Sequence, residues 1–190
     1  MTLILKDTIK NITLEDLNNC NVLHVDKCSD VSTLVELLSI NTTIEILRFI
    51  DCTIGPTDVN KIGTMIEKNN TITTLDLYGS IEIGNGFIPI IKALEFNKSI
   101  VVLDLSYNFM YNSNYFALCD VLKKNSTLKY IYLSKTDSSE IVFGIGRLIH
   151  EMKDNKNIVL LDVSNNTDDD DIKLVICDTL KVNKNIRILY

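Results

Sequence analysis

A recurring period of about 28 residues is the feature of this sequence that most restricts its fold. It is seen in one apolar column, whose members are Leu23, Leu47, Leu75, Leu103, Ile131, Leu161 and Leu189. The sequence numbers of successive members differ by 24, 28, 28, 28, 30 and 28. Because a fixed period of this length is typical of stacked supersecondary units, the sequence predicts a repeat architecture.

Three further columns accompany the first, so the repeating unit extends well beyond a single strand. Three residues earlier stand Ile44, Ile72, Ile100, Leu128, Ile158 and Ile186. Six residues earlier stand Asn41, Asn69, Asn97, Asn125, Asn155 and Asn183. Nine residues earlier stand Leu38, Ile66, Leu94, Leu122, Met152 and Leu180.

Two hydrophobic periodicities alternate within each unit. Segments such as VLDLS at 102–106 alternate with period two, which predicts a short strand with Leu103 and Leu105 facing inward. The stretch after each strand has helical spacing, as at Tyr115, Leu118 and Leu122. Neighbouring strands are therefore expected to pair in parallel, with the helices packed against them.

Two polar columns are expected to flank each strand, one at the end of the preceding helix and one directly after the strand. The asparagine column falls at helix ends, where asparagine tolerates the left-handed conformation usually supplied by glycine. A second polar position follows each strand and is expected to satisfy free backbone groups; it is occupied by Cys28, Cys52, Ser80, Asn108, Thr136 and Asn166. The predicted helix N-caps are Thr57, Ser138 or Ser139, and the aspartates before Ile172.

The unit IVVLDLSYNFM at 100–110 resembles the leucine-rich repeat pattern L-x-x-L-x-L-x-x-N/C-x-L, and its period resembles that of the ribonuclease-inhibitor-like subclass. Cys28 and Cys52 occupy the Asn/Cys position in their units. The resemblance covers about residues 20 to 190. It implies an α/β solenoid bent into a horseshoe arc, with parallel strands on the concave face and helices on the convex face. It does not imply one function, because this fold serves many.

We expect residues 1–190 to form one domain. Residues 1–19 do not match the repeat and are expected to form an N-terminal cap, because solenoids need atypical ends. Residues 20–190 hold about six repeats and a terminal strand. The short first interval predicts a helix near 31–38 that is trimmed or differently wound, and the two extra residues of the longest interval, from Ile131 to Leu161, are placed within 134–146.

Composition argues against several classes of function. The net charge of −6 opposes binding to nucleic acid or to an anionic membrane. No apolar run is long enough for a membrane span or a signal-peptide core, which predicts a soluble, cytoplasmic protein. The five cysteines are odd in number and widely separated, so neither a disulfide framework nor a zinc ribbon is expected. His24 and His150 fall in different repeats, so we expect no catalytic site and no cofactor.

The outward-facing strand residues are the best candidates for a functional surface. One column reads His24, Arg48, Asp76, Asp104, Tyr132 and Asp162. Tyrosines beside carboxylates resemble a protein-binding patch, although such residues also suit any exposed strand. The candidate partner-binding residues are Arg48, Asp76, Tyr78, Asp104, Tyr107, Tyr130, Tyr132 and Asp162.

The leading hypothesis is a non-enzymatic module that binds a protein with a basic complement on this concave surface. An alternative is a structural protein that self-assembles, for example as a homodimer, through its C-terminal strand with Ile186, Ile188 and Leu189. A third is a GTPase regulator acting through Arg48, since relatives of this repeat class include GTPase-activating proteins. The Ile-, Asn- and Lys-rich composition indicates an AT-rich genome, so a host protein is one possible partner if the source is a pathogen.

Overall fold

Strands and helices alternate along the described part of the chain. The computed structural model describes residues 1–7, 9, 11–81, 86–136 and 142–190. The strands are β1 (Thr2–Lys6), β2 (Val22–Asp26), β3 (Ile46–Ile50), β4 (Thr74–Asp76), β5 (Val102–Asp104), β6 (Tyr130–Tyr132), β7 (Leu160–Asp162) and β8 (Arg187–Leu189). The helices are α1 (Leu14–Asn18), α2 (Ser32–Leu38), α3 (Pro56–Lys68), α4 (Ile88–Ala93), α5 (Asn112–Leu122), α6 (Val142–Glu151) and α7 (Asp170–Val182).

The strands form a single sheet in chain order from β1 to β8, and every neighbouring pair is parallel. Among the described residues, each connection between successive strands contains one helix. Within the sheet Leu75 lies opposite Leu103 and Leu103 opposite Ile131, and all three side chains are buried. The predicted α/β solenoid, with parallel strands on one face and helices on the other, is confirmed.

The segment at 1–19 contains a strand and a helix of its own, β1 and α1. Leu3 of β1 lies opposite Leu23 of β2, so β1 extends the sheet in register. The repeat pattern did not reveal this unit because the interval from Leu3 to Leu23 is shorter than every other interval in the column. The region expected to cap the solenoid therefore continues its sheet.

The predicted position of Leu189 is wrong by one residue. Ile188, not Leu189, lies opposite Leu161 of β7, and Leu189 lies opposite Asp162. The asparagine of this unit, Asn183, keeps its place by donating to the Met152 carbonyl at 2.7 Å, but one residue fewer separates it from the strand. As a result Ile188 takes the inward position, and both Ile186 and Ile188 are buried.

Helix α2 has 7 residues against 13 in α3, which confirms the trimmed first helix. The aspartate cap of α7 is also confirmed, since the Asp169 carboxylate accepts a hydrogen bond from the Asp171 N–H at 2.8 Å. The predicted Thr57 cap is wrong: Gly55 caps α3 and Pro56 opens its first turn, where the fixed φ of proline suits the helix. The predicted caps at 138 and 139, and residues 137–141 of the segment assigned the two extra residues, lie outside the described residues.

The recurring asparagines join neighbouring repeats through their side chains. Asn97 donates from Nδ2 to the carbonyls of Ile66 at 2.8 Å and Asn69 at 3.0 Å. Its Oδ1 accepts from the N–H groups of Ser99 at 2.9 Å and Ile100 at 2.8 Å. The carbonyls that receive these bonds include helix-end groups without a partner in their own helix. We call the set Asn41, Asn69, Asn97, Asn125, Asn155 and Asn183 the asparagine ladder.

The left-handed conformation expected for these asparagines is wrong. Asn69 has φ −80° and ψ 126°, and Asn183 has φ −91° and ψ 109°, so both are extended. Extended backbone lets the side chain face the preceding repeat, where it satisfies buried carbonyls. Hydrogen bonding, and not tolerance of positive φ, explains why asparagine recurs here.

The polar position after each strand is structural, as predicted. Asn108 donates from Nδ2 to the carbonyls of Leu77 at 2.8 Å and Leu105 at 2.9 Å, while its Oδ1 accepts from the Ile81 N–H at 2.9 Å. The thiol of Cys52 donates to the Val25 carbonyl at 3.4 Å in the same position. Burial raises the pKa of Cys28 to about 11, so this thiol stays protonated at neutral pH.

Candidate functional site

The structure brings the predicted outward column together as one row across the sheet. Arg48 lies opposite Asp76, Asp76 opposite Asp104, Asp104 opposite Tyr132, and Tyr132 opposite Asp162. His24 on β2 lies opposite Arg48 on β3. We call these six residues, His24, Arg48, Asp76, Asp104, Tyr132 and Asp162, the concave row. Parallel pairing of consecutive strands fixes their spacing at about 4.8 Å per strand.

The candidate Tyr130 lies two residues before Tyr132, and therefore on the same face of β6. It is opposite Val102 on β5 and Leu160 on β7. Its side chain is 37% exposed, whereas Tyr132 is partly buried. Tyr130 thus extends the concave row toward the start of the strands.

Tyr78 and Tyr107 form a second group beyond the strand ends. Their ring centroids are 4.5 Å apart, and the Lys135 ammonium lies 5.0 Å from the centre of the Tyr107 ring. Tyr107 has φ +59°, and Gly79 and Lys135 occupy the same left-handed conformation in neighbouring repeats. An aromatic residue is uncommon in this region. Alternation of residue types does not reveal this conformation, so the sequence could not predict the stack.

Three residues of the concave row, His24, Arg48 and Asp76, contact one another. Arg48 donates from Nη1 to Nε2 of His24 at 2.9 Å, and its Nε lies 3.7 Å from Oδ2 of Asp76. Burial, followed by the charge of Arg48, lowers the pKa of His24. Arg48 was a candidate partner-binding residue and the proposed basis of GTPase regulation. Its guanidinium contacts two neighbours on its own sheet, and both roles stay predictions.

The three aspartates of the row each help the chain turn at the end of a strand. Oδ1 of Asp76 accepts from the Tyr78 N–H at 3.0 Å, Oδ1 of Asp104 from the Ser106 N–H at 2.8 Å, and Oδ1 of Asp162 from the Ser164 N–H at 2.9 Å. The sequence interpretation gave these residues only a binding role. Their structural role could have been read from the sequence, because an aspartate recurs two residues before the point where the chain leaves the strand.

Asp76 makes the fold less stable when it is ionised. Burial, with a smaller effect of the Asp104 charge, raises its pKa from 3.8 to about 6, against the opposing effects of the Tyr78 N–H and Arg48. The folded state therefore holds this proton more tightly than the unfolded state. The stability contributed by the protonated form is complete below about pH 4 and is lost as the pH rises through about 6.

We expect Asp76→Asn to raise the free energy of unfolding at pH 7 by about 1 to 2 kcal/mol. A pKa shift corresponds to roughly 1.4 kcal/mol per unit. The expected gain is smaller than the full shift implies, because the Asp76 carboxylate keeps some contact with water, which screens its charge. Asparagine still offers Oδ1 to the Tyr78 N–H. Urea unfolding between about pH 4 and 7 should show a flatter pH dependence than the wild type. An unchanged slope, or the same change in the exposed variant Glu67→Gln, would contradict this assignment.

Within the described ranges there is no group of three or more His, Cys, Asp or Glu side chains that could hold a metal ion. His24 lies on β2 and His150 on α6, on the strand and helix layers respectively. The part of the chain that the structure describes contains no helix long and apolar enough to cross a membrane.

No protein family model matches the sequence. The fold is similar to Leiomodin-1 Actin-Binding Site 2 (ABS2), with a TM-score of 0.64 and 16% sequence identity, over 82% of this chain and 90% of that chain. A segment of 75 residues is 36% identical to FERM domain-containing protein C of Dictyostelium discoideum; it spans 39% of this chain and 5% of that protein. The parallel sheet and the structural likeness identify a solenoid fold of the leucine-rich repeat type. The ribonuclease-inhibitor-like subclass remains a prediction from the period.

Proposed function

We propose that this protein is a non-enzymatic binding module whose concave strand surface receives a protein partner. The observation that carries the proposal is the concave row, in which strands β3 to β7 align acidic and aromatic side chains in register. A regular sheet holds this face in one conformation before a partner arrives. Preorganisation of this kind lowers the entropy lost on binding.

Tyrosine side chains give the surface its contact area. Tyr130 is 37% exposed and Tyr107 is 47% exposed, at opposite ends of the strands that carry the row. Tyrosine combines a large apolar ring with a polar end and is frequent among the residues that dominate binding energy. The similar fold in an actin-binding site of leiomodin-1 supports a protein partner for this chain as well.

The proposal is tested by affinity capture with a concave and a convex variant. The concave variant carries Tyr130→Ala and Tyr132→Ala. The control carries Phe96→Ala and Leu174→Ala, which remove apolar side chains of 65% and 64% exposure outside the strands. We expect the wild type and the control to retain a protein that the concave variant loses, with all three showing the same circular dichroism. Equal capture by all three would refute the use of the concave surface.

A further inference from the structure

The two halves of the concave row differ in how their charges are satisfied. In the first half Arg48 contacts both His24 and Asp76. In the second half no Lys or Arg nitrogen of the described residues lies within 4.0 Å of the Asp104 or Asp162 carboxylate. The negative charges of Asp104 and Asp162 are therefore uncompensated by a direct ion pair.

These two carboxylates stand on either side of Tyr132. Asp104 precedes Tyr132 by one strand and Asp162 follows it by one strand, so their Cα atoms are about 10 Å apart. Each uses Oδ1 to accept a backbone N–H, at 2.8 Å and 2.9 Å respectively. Oδ2 of each side chain has no such bond among the described residues. An aromatic ring between two available carboxylate oxygens suits a cationic side chain.

Covering this part of the surface has an electrostatic consequence. A partner that docks on Tyr130 and Tyr132 also removes water from Asp104 and Asp162, which lie on the neighbouring strands. Removing water from a carboxylate without supplying a compensating charge is strongly unfavourable. In the first half of the row Arg48 already lies 3.7 Å from the Asp76 carboxylate and offsets part of this cost. The overall charge of −6 adds a long-range attraction for a basic partner.

We infer that the partner is a basic protein segment, and that one of its arginine or lysine side chains lies between Asp104 and Asp162 beside Tyr132. This inference rests on the proposed function and adds the chemistry of the partner and its position on the row. Binding is then centred on β5, β6 and β7. Because opposite charges guide the encounter, association slows as the salt concentration rises.

The test uses a short unstructured peptide of glycine, serine and arginine as the probe. Its binding is followed by NMR through the backbone amides and the ring resonances of Tyr132. The variant Asp104→Asn/Asp162→Asn removes two charges and keeps both Oδ1 acceptors for the turns. The control Glu67→Gln/Asp154→Asn makes the same change in net charge at exposed positions away from the row.

We expect the peptide to shift the Tyr132 resonances of the wild type and of the control. We expect the row variant to bind at least about tenfold more weakly, and the control to stay within about twofold. Absence of peptide binding to the wild type, or equal weakening in both variants, would overturn the inference. In the capture experiment, a partner that requires the tyrosines but not the two aspartates would also overturn it and leave the proposed function standing. Loss of the tyrosine requirement would instead overturn the proposed function.

Discussion

Replacing Asn97 by alanine is expected to lower the free energy of unfolding by about 3 to 4 kcal/mol, because several buried backbone groups lose their hydrogen-bond partner at once. The side chain is 1% exposed and forms bonds with the carbonyls of Ile66 and Asn69 and with the N–H groups of Ser99 and Ile100. Alanine can supply none of these bonds. Water has no access to replace them without opening the joint between two repeats.

Urea unfolding followed by circular dichroism measures this effect. The matched control is Asn70→Ala, in the preceding repeat. Asn70 is exposed, and its side chain donates a single hydrogen bond among the described residues, to the Lys68 carbonyl at 3.2 Å. We expect the control to change the free energy of unfolding by less than about 0.5 kcal/mol. A loss below about 1 kcal/mol for Asn97→Ala would show that the ladder is not a major source of stability.

Leu103→Ala is expected to cost about 3 kcal/mol, through lost burial and the cavity that remains. Leu103 is 0% exposed and lies on the central strand β5, opposite Leu75 on one side and Ile131 on the other. Backbone hydrogen bonds fix the spacing of these strands, so the neighbouring side chains have little freedom to close the space.

The same unfolding measurement tests this prediction. Leu174→Ala on helix α7 makes the identical chemical change at a side chain of 64% exposure. We expect it to alter the free energy of unfolding by no more than about 0.5 kcal/mol. Similar losses for both variants would contradict the central position of the Leu103 column in the core.

The fold could be predicted from the sequence because its main determinant is periodic. Alternation around Leu103 indicates a strand, helical spacing around Leu118 indicates a helix, and a constant interval requires neighbouring units to stack in register. The register of the last strand, β8, was harder to predict. Ile188 and Leu189 are both apolar, so the sequence alone did not show that the last unit is one residue shorter. The unit at 1–19 was missed for a related reason, since its interval differs from the common period.

The candidate site was only partly accessible to the same reasoning. Strand alternation and register place Asp76, Asp104 and Tyr132 in one row, as the structure has them. The pairing of Arg48 with His24 depends on side-chain conformation, which periodicity does not specify. The hydrogen bonds of the asparagine ladder join residues about one repeat apart, so their partners become visible only in the folded chain.

The asparagine ladder also has a consequence for N-linked glycosylation. Four of its members begin an Asn-x-Ser/Thr sequon, and these are Asn41, Asn69, Asn97 and Asn125. The hydroxyl residue of the sequon belongs to the same joint: the Ser99 hydroxyl donates to the Asn69 carbonyl of the preceding repeat at 3.4 Å. A glycan attached to Nδ2 would remove a hydrogen that the preceding repeat requires, and the buried amide leaves no space for a sugar. At these positions a closed solenoid and a glycosylated asparagine are therefore mutually exclusive, and a chain modified during synthesis is expected to fail in joining its repeats.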